Sequence, residues 1–262
     1  MIRRLTGVAA GLGVLLAASL ARAQARGPLG QRGEFIVSAD RLFPLFSYTH
    51  VSQDNVFPMA GISKQVAVYN QTAISLLWGS SAPGDAIAPL QTSFFTVPRV
   101  GFDYVLFPNV TVGGDIVVFF TLGGNNSTDT TPVAGGTVTA SNDNPSSFVF
   151  GVAPRAGYVL ALSDLFSLWL RGGLSYYVAT SKTTNAGTTV TSSTNQGALD
   201  LDPQLVITPI PHLGITAGLT ADIPLAGGHS QETDLNTGLS RTNSASSSVF
   251  FFGATAGLLG YF

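Results

Sequence analysis

The sequence predicts an all-β chain folded as an antiparallel up-and-down transmembrane β-barrel, most simply of eight strands. Three observations predict it. Segment after segment places apolar residues at every second position over ten or more residues, the period of a strand with two different environments. Tight turns built on Pro, Asn or Asp alternate with long Ser/Thr/Asn/Gly-rich stretches, the asymmetry of a barrel with short turns at one end and longer loops at the other. The 262 residues are only 10% charged, against about 25% in an ordinary globular domain, and the mean hydropathy is +0.34. No run after the first 23 residues resembles a membrane-crossing helix. An apolar chain without such a helix can satisfy its backbone in lipid only by closing a sheet on itself.

The amino terminus reads as an export signal. Met1-Ile2-Arg3-Arg4 is basic, Leu5–Leu20 is apolar, and Ala21-Arg22-Ala23 is a small-x-small end, so cleavage is expected after Ala23. The alternative is a membrane anchor, but the run is short and diluted with Gly, Ala, Ser and Thr, whereas a spanning helix needs about 20 apolar residues. No Cys follows the run, which excludes a lipoprotein. Of the twelve Lys and Arg and fourteen Asp and Glu, residues 1–23 carry three Arg and no acid. The remainder therefore has nine basic and fourteen acidic residues, a charge of −5, with no basic patch for a nucleic-acid partner. Zero cysteines exclude disulfides as a source of stability.

Gln24–Gly33 is polar and Gly-rich and reads as a flexible periplasmic lead-in, with the barrel domain spanning 34–262. The first strand is expected over residues 34–51, where Phe35, Val37, Ala39, Phe43 and Leu45 share a face with Arg41. An Arg facing lipid at mid-depth costs roughly 2–4 kcal/mol, so either a bulge near Pro44 shifts the alternation or Arg41 lies at the rim. Residues 52–91 read as a long first outer loop carrying an extra hairpin strand at 72–78. If residues 67–97 instead supply two wall strands, the barrel has ten.

Residues 93–122 form the clearest hairpin. Val100, Phe102, Tyr104 and Leu106 alternate with Arg99, Gly101, Asp103 and Val105, and Phe107-Pro108-Asn109 turns the chain. The return arm sets Val110, Val112, Ile116 and Val118 against Thr111, Gly113, Asp115 and Val117. The pattern recurs at 146–161 with Arg155 on the inner face, at 166–180 with Arg171, at 197–208 with Asp200, Asp202 and Gln204, and at 213–225 with Asp222. The polar stretches 123–145, 181–196 and 226–245 read as loops.

The final strand, Ser246–Phe262, has one face without a polar side chain (Phe250, Phe252, Ala254, Ala256, Leu258, Gly260, Phe262), while Tyr261, Leu259, Thr255, Phe251 and Val249 face the other way. It resembles the last strand of bacterial outer-membrane β-barrels, although here the position two before the final Phe is Gly260, and the Tyr stands at 261. The chain as a whole looks like a small outer-membrane barrel of the OmpA/OmpX-like type. The resemblance implies outer-membrane lipids as surroundings, Phe262 as an assembly signal for the barrel-assembly machinery, and a monomer.

The charged strand residues that fall on the inner face are Arg99, Asp103, Asp115, Arg155, Arg171, Asp200, Asp202 and Asp222, with Asp40 a further member. An eight-stranded barrel is only just wide enough for side chains to fill, so these groups are expected to form a polar network across the lumen; a narrow conducting path is the alternative. Asp200-x-Asp202 places two carboxylates on one face, but a metal site needs more converging ligands. The omptin proteases pair acids with a His at the outer rim. Of His50, His212 and His229, only His50 is a candidate for a place near a rim acid, and no motif surrounds it. The pairs Gly113-Gly114, Gly172-Gly173 and Gly227-Gly228 lack the GK[ST] ending of a phosphate loop and read as strand bends. No catalytic, cofactor or metal residue emerges. The expected function is a non-enzymatic barrel with a filled lumen and polar outer loops open to adhesion; the alternative is a narrow porin, and an outer-membrane enzyme ranks below both.

Overall fold

A computed structural model describes residues 29–55, 65–74, 97–130, 138–185, 188–235 and 239–262. The expected signal peptide, residues 1–23, lies outside them, as does most of the 52–91 segment. The described residues form nine strands and no helix: β1 Phe35–Asn55, β2 Gln65–Ile74, β3 Arg99–Phe107, β4 Val110–Thr130, β5 Val138–Ala161, β6 Phe166–Asn185, β7 Thr188–Ile210, β8 Leu213–Asp234 and β9 Ser240–Tyr261. Every ladder is antiparallel. β1 and β3–β9 close an eight-strand ring, with β9 returning to β1 along its length. Phe35 and Phe262 complete the closure by exchanging both backbone hydrogen bonds, at 2.8 and 3.0 Å.

The extra strand is β2, and it starts earlier in the chain than expected. It pairs with Phe46–Asn55 of β1, directly above the stretch Phe35–Asp40 that pairs with β3. β2 and β3 thus occupy the same side of β1 at different heights, and the ring at the base has eight strands, not ten. Above Ile116, β4 is laddered to β5 alone among the described residues.

The three stretches expected as long loops are mostly strand. β4 and β5 stay paired to Thr130↔Val138, β6 and β7 to Asn185↔Thr188, and β8 and β9, after one register shift, to Asp234↔Ser240. Once two arms are paired inside the membrane, their continuation into water keeps the ladder, and Thr-rich sequence such as Thr188-Thr189-Val190-Thr191 suits an extended backbone. The residues on both faces there are mostly polar, so the apolar alternation that marks a strand disappears while the hydrogen bonding persists.

Within the membrane-facing part the alternation is kept. Phe102, Val118, Phe150, Leu174, Leu219 and Leu258 point outward and are 42–55% exposed, forming an apolar belt. Inward residues are buried in three layers. Towards the short turns an apolar floor contains Leu29, Ile36, Val105, Val159, Trp169 and Leu259. Towards the long hairpins lies a second apolar layer with Val51, Val117, Val149, Tyr177, Val249 and Phe251. Charged side chains fill the space between them.

The end of the lead-in is part of the floor rather than loose. Leu29 is buried, the Gly30 carbonyl accepts from Asn109 N at 2.8 Å, and Gly33 N donates to the Val105 carbonyl at 2.9 Å. Glu34 holds the bend by accepting from Gly30 N and Gln31 N at 2.8 and 3.0 Å. Burial raises its carboxyl pKa above the ordinary value, against the lowering effect of these two bonds.

Candidate functional site: the charged layer of the lumen

Seven strands deliver four arginines and six aspartates to one level of the barrel: Asp40 and Arg41 from β1, Arg99 and Asp103 from β3, Asp115 from β4, Arg155 from β5, Arg171 from β6, Asp200 and Asp202 from β7, and Asp222 from β8. All are buried, none more than 8% exposed. Period-two alternation explains most of this placement, since every one of them except Arg41 sits at an inward position of its strand.

Arg155 is the hub nearer the floor. Its guanidinium reaches Asp40 at 2.9 Å, Asp103 at 2.5 Å and Asp115 at 2.5 Å, with Ser38 Oγ at 3.3 Å. Arg171 shares Asp40 at 3.0 Å and pairs with Asp202, which also accepts from Gln204 Nε2 at 2.5 Å. Nearer the hairpins, Arg99 meets Asp200 at 2.9 Å, Asp222 at 3.8 Å and Asp115 at 4.0 Å. Arg41 binds Asp222 at 2.9 Å, Asp200 at 3.4 Å and Thr220 Oγ1 at 2.5 Å. Asp40 and Asp115 bridge arginines, so the pairs join into one connected web. Buried charges are costly unless paired and hydrogen-bonded, and here every arginine contacts at least two carboxylates.

Each arginine also lies over an aromatic ring. Arg155 and Arg171 sit 5.5 and 4.5 Å from the Trp169 centroid, Arg99 is 5.2 Å from Tyr177, and Arg41 is 5.6 Å from Phe251. Trp169 belongs to the floor, whereas Tyr177 and Phe251 belong to the outer apolar layer, so cation–π contacts couple the charged layer to both neighbours. Trp169 Nε1 donates to Thr111 Oγ1 at 3.1 Å. A small cavity bordered by Asp115, Arg155, Arg171, Asp200 and Asp202 has a volume of about 10 Å³, room for on the order of one water.

For Arg41 the sequence left two readings open, a bulge near Pro44 or a place at the rim, and the structure has the bulge. Register shifts fall between Ala39 and Phe43 and between Pro44 and Phe46, and Arg41 itself has φ 56°. This left-handed residue, unfavourable for a non-glycine, rotates the side chain inward onto Asp222. The interior Pro44 and the broken alternation around it are the signal for the bulge. The aromatic platforms carried no such signal, because an inward Trp or Tyr reads as packing.

Asp200 and Asp202 are each engaged by arginine and do not form a free acid pair. Among the described residues no three His, Asp or Glu side chains are arranged to hold a metal ion. His212 occupies the short β7–β8 turn with φ 66° and contacts the Tyr261 carbonyl through Nδ1 at 2.8 Å. His229 is buried high in β8 beside Thr194, at 2.9 Å. Phe262 is outward-facing and 43% exposed. Close packing explains several glycines on the inner wall: a Cβ at Gly113 would collide with the Phe102 carbonyl oxygen, and one at Gly173 with that of Pro154.

No protein-family model matches the sequence, and no curated protein matches it significantly. Solved structures similar to it include outer-membrane proteins. The attachment invasion locus protein Ail of Yersinia pestis is 11% identical, with 87% of this chain and 99% of that one covered and a TM-score of 0.32. The outer membrane protease OmpT of Escherichia coli is 9% identical over 87% and 97% of the two chains, TM-score 0.38. A major outer membrane protein of Thermus thermophilus is 15% identical over 82% and 99%, TM-score 0.38. These likenesses concern the fold alone; attachment and proteolysis are said of those proteins.

Proposed function

We propose that the protein is a non-enzymatic barrel of the bacterial outer membrane, exported by its cleaved amino-terminal segment, that acts as a closed structural element and presents polar hairpins to the outside. The observation that carries this reading is the lumen: two apolar layers enclose a charged layer, with a single-water cavity at the charged level. A lumen filled in this way serves as a hydrophobic and ionic core, and it leaves the hairpins as the part available to partners. Lipids contact the apolar belt, the closing β9 strand is the element offered to the assembly machinery, and the barrel works as a monomer. The engagement of every lumen arginine by carboxylates supports a stabilising role rather than a catalytic one.

Single-channel recording in planar bilayers tests the reading, using residues 24–262 shown to be folded by shifted migration in unboiled gels. Inserted protein is expected to give no reproducible conductance steps. Steady steps would replace the closed barrel by a narrow channel, with the lumen Asp and Arg residues as its selectivity elements.

A further inference from the structure

The β8–β9 ladder has a single interruption among the described residues. Pairing runs from Leu213↔Gly260 to Asp222↔Phe251 and resumes at Gly228↔Ser246, leaving residues 223–227 and 247–250 without partners in each other. The local sequence explains the break. Pro224 has no N–H to donate. Leu225 is an extra residue, since Gly197 pairs with Ala226 and Ala198 with Pro224. The Leu225 side chain is expelled outward and is 64% exposed. The two backbones remain close at Gly227, where a Cβ would collide with the Ser247 carbonyl oxygen.

One side chain spans the break. Gln196 of β7 is 1% exposed and reaches past β8 to β9, where its Nε2 donates to the Val249 carbonyl at 2.7 Å and its Oε1 accepts from Val249 N at 3.1 Å. A carboxamide carries the same donor and acceptor as a peptide group, so Gln196 supplies the pair of bonds that β8 does not. A side-chain substitute differs from a ladder in one respect: it can be released by a rotamer change without unzipping a strand.

Two polar groups stand beside this seam with nothing to bind. Ser247 Oγ and His229 Nε2 are buried, at 2% and 7% exposure of their residues, and neither has a hydrogen-bond partner among the described residues. Buried polar atoms are satisfied in the great majority of cases. Thr194 Oγ1, 2.9 Å from His229 Nδ1, holds the imidazole in place. The seam also lies where the apolar belt ends: Ile223, Leu225 and Phe252 are exposed beside and below it, and Ser246 and Ser248 are exposed above.

We propose that the β8–β9 seam is a lateral port latched by Gln196, through which the uncharged polar head of an outer-leaflet amphiphile reaches Ser247 and His229. The proposal rests on the membrane placement given under the proposed function. The exposed Ile223 and Leu225 line the outside of the port with apolar surface suited to an alkyl chain, while the hydroxyl and imidazole inside offer hydrogen bonds to a head group. An anionic head is disfavoured, because Asp222 closes the lower end of the seam and belongs to a layer with six aspartates against four arginines.

The absence of cysteine makes the port directly testable. Ser247→Cys is introduced alone and together with Gln196→Ala, and the folded proteins are inserted into phosphatidylcholine vesicles. Each is treated with N-hexadecylmaleimide, which partitions into lipid, or with a sulfonated, water-soluble maleimide. Gln196→Ala is expected to speed labelling by the lipid-borne reagent on the order of tenfold or more, the population change that loss of two hydrogen bonds brings. Labelling by the water-soluble reagent, and lipid-borne labelling of a Ser175→Cys control buried on β6, are expected to stay unchanged. Equal rates with and without Gln196, or an equal gain with the water-soluble reagent, would overturn the port. If the Gln196→Ala protein does not fold, amide hydrogen exchange of the unsubstituted protein decides: Val249 N–H must exchange faster than the paired amides of β4 and β5, and equal protection overturns the latch. Failure of the unsubstituted protein to insert into vesicles would instead overturn the membrane placement.

Discussion

Arg155 shows why single residues matter in this lumen. It contacts three aspartates and stands over Trp169, all out of water. Removing one partner of a buried ion pair leaves the other charge stranded, at a cost of about 3–5 kcal/mol. Arg155→Met is therefore expected to lower the barrel's unfolding free energy by about that amount, read from urea titration in lipid vesicles, and adding Asp103→Asn should recover part of the loss. An unchanged midpoint for Arg155→Met would show that the web is not stabilising. Replacing Asp200 and Asp202 by Asn takes one carboxylate partner from each of Arg41, Arg99 and Arg171, and thermal unfolding in detergent is expected to come at lower temperature. The ten charged members divide by legibility. Eight were readable from alternation, and Asp40 followed with them as a further member. For Arg41 the sequence offered a bulge near Pro44 or a place at the rim, and the choice between them rests on a left-handed residue inside a strand, a backbone choice that alternation does not encode.

At the scale of elements, β1 and β9 carry the closure. Phe262 contributes two backbone hydrogen bonds to Phe35 and an outward ring at the base of the belt. Deleting Phe262 is expected to impair assembly, measured as reduced folded protein in outer-membrane fractions; normal levels would show that the pairing at Phe35 is dispensable. The wall glycines set a different constraint. Gly173→Val places a Cβ against the Pro154 carbonyl where the β5 and β6 backbones nearly touch, so folded yield should fall sharply, while an equally large substitution at the outward Leu174 should be tolerated.

The hairpins belong to the scale of the whole molecule. β4 and β5 continue in register well beyond the last outward apolar residues, to Thr130↔Val138, so the extension is held by its own ladder rather than by the lumen. Replacing residues 124–144 with a short turn is expected to leave the barrel folded, with its gel shift intact and its melting temperature little changed. A collapse of the gel shift would mean that the extension is needed to close the ring. Adhesive contacts, if they reside in this hairpin, would be lost in the same variant, which separates surface function from barrel stability.

The sequence by itself determined the class of fold, the eight-strand ring and the inward positions of most lumen charges. All three follow from the period of two and from the rule that a backbone in lipid must close on itself, and both are local or nearly local facts. Tertiary structure alone decided how far the strands run, because where the sequence is polar on both faces a ladder continues without any apolar pattern to announce it. It alone set β2 above β3 on one side of β1, decided for the bulge over the rim at Arg41, and brought Gln196 across a neighbouring strand to Val249. Each of these depends on which backbone groups are left without a partner once the ring is closed, a quantity that exists only in three dimensions.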